Sequence, residues 1–187
     1  MNEARTMRMT RVIAGMLMVS ALMACGAGST GSPTYPAGSI AAILEADGRF
    51  DTLMEITERD MPPVALDSMT ALELDITIFA PTDDAFDALP PGTLEWLRSD
   101  ENVSDLQSVF DHHVLIKSYS LDELRSKAQS GAGRVESLTE GSPIQLTLTG
   151  DTLLVDGAAV IDGDIRAENG VIHVIDAVMI PDSVAIP

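Results

Sequence analysis

The residues able to do chemistry fall into a few groups. His112 and His113 are neighbours, and His173 stands alone between Val171 and Ile175 at strand spacing. Adjacent side chains diverge by about 100° on a helix and point to opposite faces of a strand, so the pair does not converge on one ion. A zinc site needs several convergent ligands, and no such spacing occurs. Thr82-Asp83-Asp84 offers paired carboxylates, yet the same residues read as a helix N-cap followed by acids in the first turn, where the helix dipole favours negative charge. Asp162, Asp164 and Glu168 could gather calcium, but Gly163 and Arg166 fall at the wrong places for an EF-hand, which leaves a solvated acidic loop. No metal and no cofactor is expected.

Catalytic signatures are missing. There is no Gly-x-Ser-x-Gly elbow and no Walker loop, and Gly131-Ala132-Gly133 is too short to cradle a dinucleotide. A serine triad is defined by geometry, which spacing does not provide. The reading is a non-enzyme.

Composition narrows the class. In 187 residues, 29 acids face 11 Lys and Arg, a formal charge of −18. Nucleic acid is therefore excluded as a partner, because phosphate recognition needs a basic surface. Hydrophobic content of 45% supports one ordinary domain, and the single cysteine, Cys25, rules out a disulfide framework.

That cysteine belongs to a processing signal. Arg5, Arg8 and Arg11 precede an apolar run of twelve residues, Val12 to Met23, too short to span a bilayer as a helix. Leu22-Met23-Ala24-Cys25 resembles a bacterial lipobox, so 1–24 is expected to be a lipoprotein signal peptide and Cys25 the lipidated first residue. Its removal leaves 8 basic and 28 acidic residues, a charge of −20. Lipid would tie the chain to a membrane while the acidic body stands off anionic headgroups. Residues 25–38, rich in Gly, Ser, Thr and Pro, read as a flexible tether. Gly26 lacks the aspartate that resembles an inner-membrane retention signal, which points to the outer membrane or the cell surface.

The body must then supply the scaffold. Ile40, Ile43 and Leu44 share a helical face behind an N-cap at Ser39, and Phe50, Leu53 and Met54 repeat the spacing until Met61-Pro62-Pro63 stops it. Residues 64–75 read as an irregular connection, and 75–80 as a short buried strand. Helices are predicted over 93–98 and 102–112, and Ser120-Leu121-Asp122-Glu123 opens another with a capping box. From Arg134 the period becomes two, with Ile144, Leu146 and Leu148 on one face. Gly150-Asp151, Asp156-Gly157 and Asn169-Gly170 are hairpin-turn candidates. Helices first and an antiparallel hairpin meander second make the class α+β.

Two segments resemble a known family. Thr77-Ile78-Phe79-Ala80-Pro81-Thr82-Asp83-Asp84-Ala85-Phe86 and Asn169-Gly170-Val171-Ile172-His173-Val174-Ile175-Asp176 are similar to the two signature motifs of the fasciclin (FAS1) domain. Between them His112-His113-Val114, with Tyr119 following, stands where that family usually carries a Tyr-His pair. The resemblance covers about 39–181, placing a FAS1 domain at 39–187. It implies a β-wedge decorated by N-terminal helices, found in adhesion proteins of cell surfaces, with bacterial members secreted or lipid-anchored. Integrin-binding segments proposed in some animal members map near His112-His113 and onto Asp162-Gly163-Asp164-Ile165-Arg166, where Asp164 and Ile165 alone keep the motif core; that role is not carried over.

The expectation is thus a lipid-anchored protein of the bacterial envelope that mediates adhesion or contact with an unknown protein or matrix partner. The surface around His112, His113, Val114 and Tyr119 and the loop Asp162, Asp164, Ile165 and Arg166 are its candidate contact regions. The alternative is a periplasm-facing module that binds a small ligand, which requires a concave apolar pocket.

Overall fold

A computed structural model describes residues 35–186 except 132 and 140. The expected signal peptide, Cys25 and residues 25–34 of the expected tether lie outside the described residues. Residues 35–38, assigned to the tether by composition, are instead bonded into the fold. The Tyr35 hydroxyl donates to the Glu58 carboxylate, and Gly38 O accepts the Glu168 N–H at 2.8 Å.

Ser39 caps α1 (Ile40–Asp47), its hydroxyl accepting the Ala42 N–H at 3.2 Å. The second apolar repeat forms α2 (Asp51–Arg59). A helix then appears where the sequence reads as irregular: α3 spans Pro63–Thr70. Proline stops a helix behind it but favours the first position of the next, where no N–H is needed. Pro63 occupies that position. After α3 come β1 (Ile76–Pro81), α4 (Asp83–Asp87), α5 (Thr93–Leu97), α6 (Val103–His112), β2 (Val114–Leu115) and α7 (Leu121–Gln129). The meander follows as β3 (Arg134–Val135), β4 (Ile144–Thr149), β5 (Thr152–Val155), β6 (Ala158–Ala167) and β7 (Gly170–Ile175).

The seven strands form one sheet in the order β2-β1-β7-β6-β5-β4-β3. The meander is antiparallel throughout, but β1 runs parallel to β7, so the whole sheet is mixed and the class is α+β. Strands β1 and β7 are buried along their full length, which explains their near-continuous apolar runs. Ile76, Ile78, Ile172 and Val174 face a core built with α1, α2, α3 and α6. Phe79 and Ile175 face a smaller core made with Leu124 of α7 and the inner faces of β4 and β5.

The last turn also differs from expectation. Ala167 pairs directly with Gly170, so the two turn residues are Glu168 and Asn169, and Gly170 is the first residue of β7. A Cβ on Gly170, at φ +150°, would lie 2.0 Å from the Ile76 carbonyl oxygen. The glycine serves the close approach of β1 and β7 and not the turn. Asn169, fully buried, accepts the Ile40 N–H at 2.9 Å and donates to the Met69 carbonyl at 3.0 Å, joining the start of α1 to α3.

Candidate functional site

Thr82 caps α4 through its hydroxyl, which accepts the Ala85 N–H at 3.3 Å, and Ala85 and Phe86 are buried. Asp83 does more than sit in that helix's first turn. Its Oδ1 accepts the Thr52 N–H at 2.8 Å, so it caps α2, whose own N-cap residue Phe50 has no side-chain acceptor. Thr77 accepts the Tyr119 N–H at 2.8 Å and donates to the Lys117 carbonyl at 2.7 Å, clamping the segment after β2. Phe79 and Ala80 are fully buried, and Pro81 closes the strand. The first motif is consumed by internal contacts.

Strand β7 is used in the same way. His173, fully buried, donates from Nε2 to the Tyr119 carbonyl at 2.9 Å and accepts the Asp164 N–H on Nδ1 at 3.2 Å. Burial holds its pKa below the ordinary histidine range, so the ring is neutral. Asp176 accepts the Ala159 N–H at 2.7 Å, and Ile175 fills the smaller core.

The loop at Asp162 is a double irregularity in β6, with register shifts between Val160 and Asp162 and between Asp162 and Ile165. A Cβ on Gly163 would meet His173 Nδ1 at 3.1 Å and Leu121 Cδ2 at 3.3 Å, and Asp164 adopts a positive φ of 59°. This conformation aims the Asp164 N–H at His173 and brings its carboxylate within 2.8 Å of the Leu121 N–H, at the start of α7. Asp162 pairs with Arg49 at 3.5 Å, and the Glu168 side chain lies against Gly38. Asp162, Asp164 and Glu168 therefore serve separate partners. Among the described residues no three His, Cys, Asp or Glu side chains gather as a metal site. Ile165 packs on the larger core and Arg166 is exposed.

The two adjacent histidines diverge. His113 donates from Nδ1 to the Val109 carbonyl at 2.7 Å and accepts the Met179 N–H at 3.0 Å. Full burial pushes its pKa down to about 4, and it pins the end of α6 to the C-terminal segment. His112 turns the other way, with Nε2 at 2.7 Å from Asp156 and Nδ1 at 3.3 Å from the Ser137 hydroxyl. Ser137 and Asp156 were not legible as its partners, since they are 25 and 44 residues away. The resulting Ser-His-Asp chain differs from a nucleophilic triad: Ser137 is buried and its hydroxyl also lies 3.0 Å from the Ser142 carbonyl. The Asp156 Oδ1 accepts the Gln145 N–H at 2.7 Å, so the chain ties α6 to the β5–β6 turn. Val114 is buried in the larger core.

Ile116 and Lys117 are exposed and Ser118 and Tyr119 half-buried; Thr77 and His173 hold Tyr119, and Asp164 holds Leu121 just beyond it. The middle motif and the Asp162 loop thus meet at the start of α7. Residues 48–181 match the family model described as Fasciclin domain. The chain belongs to the fasciclin family. Protein sll1483 of Synechocystis is 35% identical over 150 residues, 79% of this chain and 76% of that protein. Human periostin is 37% identical over 123 residues, but the match covers 64% of this fasciclin chain and only 14% of periostin. The cell surface glycolipoprotein MPB83 of Mycobacterium bovis is 29% identical over 105 residues, 56% of this chain and 43% of that protein. Among solved structures, the FAS1 domain pair of the insect cell adhesion molecule Fasciclin I superposes with a TM-score of 0.56 at 20% identity. That match covers 72% of this chain and 46% of the insect chain, and it shows the shared fold.

Sequence reading missed what surrounds Tyr119. Lys117 Nζ lies 4.9 Å and Lys127 Nζ 5.3 Å from its ring centroid. These residues share a groove of about 300 Å³ with Ile116, Arg134, Val135 and Ser137. No local signal marks the group, since Lys117, Lys127 and Arg134 are spread along the sequence and meet only in the fold.

Proposed function

We propose that this fasciclin-family chain is a lipid-anchored, non-catalytic protein of the bacterial cell envelope that mediates adhesion or protein–protein contact. Its contact face is the surface from Ile116 to Tyr119 together with the loop Asp162 to Arg166. The observation that carries this reading is how the two regions are joined. His173 and Asp164 lock the loop onto Tyr119 and Leu121, so one rigid face is formed before any partner arrives. Preformed faces of this kind lose little freedom on binding. The names of two relatives agree with it: one is a cell surface glycolipoprotein and one a cell adhesion molecule.

Anchoring rests on Cys25 and the apolar run before it. Among the described residues no helix is long and apolar enough to cross a membrane. A Cys25→Ala chain expressed in its host is expected in the soluble fraction, and its continued membrane association would refute the anchor. Protease added to intact cells should remove the domain while a periplasmic control survives. Protection of the domain would shift the reading to a partner inside the envelope.

The small-ligand alternative asks for an apolar pocket. The apolar cavity beside Phe79, Phe110 and Val178 measures about 30 Å³, the room of a single water. Drug-sized ligands occupy roughly ten times that volume or more, a size reached by the open surface groove beside Tyr119 and not by this cavity. Adhesion through the outer surface is the better reading.

A further inference from the structure

The sheet ends on β2 and β3, and these two edge strands line the same groove. The sheet curls far enough that its ends face each other. At one end of the gap the Leu138 N–H donates to the Val114 carbonyl at 2.9 Å. Ile116, 73% exposed, lies just past β2 and makes no backbone hydrogen bond among the described residues. An open edge of this kind accepts an extended chain as an added strand.

Charge says which chain. Eight cations occur among the described residues, and Arg49, Arg59 and Arg98 are in ion pairs with Asp or Glu. Of the remaining five, Lys117, Lys127 and Arg134 line this one groove. The two lysines flank the Tyr119 ring, which holds their ammonium groups in place. Glu136 is the single acid in the lining; the nearby Glu123, bonded to the Ser120 N–H and hydroxyl, keeps its charge and offsets part of that of Lys117 and Lys127. In a chain of net charge −18, this is a cationic seat on an acidic body.

We infer that the groove between β2 and β3 binds an extended, acidic peptide segment of a partner protein, which adds to the Ile116 edge and places its carboxylates on Lys117, Lys127 and Arg134. This rests on the contact reading above and names the partner's chemistry. The exposed Ile116 side chain and the backbone edge favour a peptide over a polysaccharide, which has no regularly spaced backbone amides to continue a strand.

The test uses the full chain in a non-ionic detergent and an end-blocked peptide of alternating Glu and Val. Binding should weaken about tenfold or more when the peptide carries Lys in place of Glu, when alternate amides are N-methylated, or when the protein carries K117E, K127E and R134E together. Failure of the Glu-Val peptide to bind overturns the proposal. So does equal binding of its N-methylated form, or tight binding of dextran sulfate without the peptide. A parallel assay measures adherence of the protein to intact neighbouring cells. If the triple variant adheres as the parent does, the groove assignment falls and the adhesion reading stands. If neither adheres, the adhesion reading falls as well.

Discussion

The two halves of the region around Tyr119 are built on opposite terms. On the inward side, Thr77, His173 and Asp164 are buried or tightly bonded, each of their polar atoms named above having a partner. On the outward side, Ile116, Lys117, Lys127 and Arg134 surround an open groove, and Ile116 has no backbone partner among the described residues. The residues that make the chain recognisable as a fasciclin domain belong to the first set. Those with capacity left to bind belong to the second. A family signature here marks what holds the fold, and contact chemistry is carried by neighbours that the signature omits.

The contrast can be broken most violently from the inward side. Gly170→Ala places a methyl group against the Ile76 carbonyl, where the gap is 2.0 Å, and should separate the parallel pair β1 and β7. A loss above about 4 kcal/mol is expected, read as failure to give a cooperative urea transition. Near-normal stability would show that β1 and β7 can part without cost.

Asn169→Ala should come next, because it strands the Ile40 N–H and the Met69 carbonyl in a buried setting. About 2 to 4 kcal/mol of destabilisation follows, measurable by urea unfolding. A loss below about 1 kcal/mol would mean that water replaces the amide.

Acid probes the same side more gently. His113 binds its proton at about pH 4 when folded and near 6.5 when free, so the unfolded chain takes up more protons between those values. Stability is therefore complete above pH 6.5 and falls as pH drops toward 4, by on the order of 3 kcal/mol across the window. His173, also held low by burial, acts in the same direction. Comparing thermal melts of the parent and His113→Gln from pH 7.5 to 5.5 isolates the histidine, because carboxylates titrate mainly below that range. Identical slopes in the two proteins would remove His113 as the source.

The smallest effect on stability is expected from the outward side. K117E, K127E and R134E together should leave the urea midpoint within about 0.5 kcal/mol while removing peptide binding. A large loss of stability would erase the distinction between the two sides.

Much of the architecture was legible because it depends on neighbours in sequence. The caps at Ser39, Thr82 and Ser120, the helical repeats and the alternation at Ile144 to Leu148 are all local. Helix α3 is hidden from a local reading because a proline that ends one helix also suits the first position of the next. The last turn was misread by one residue because the need for Gly170 comes from Ile76, far away in the chain.

Sequence alone determined the α+β class, the two signatures and the acidic charge, since each is a matter of composition or short-range spacing. Tertiary structure decided everything that joins distant residues: Asp83 capping α2, Ser137 and Asp156 meeting His112, and three cations gathering where two strand edges face each other. The physical reason is the curl of the sheet. It brings the ends of a seven-strand array together, and no local pattern along the chain encodes which residues that closure will place side by side.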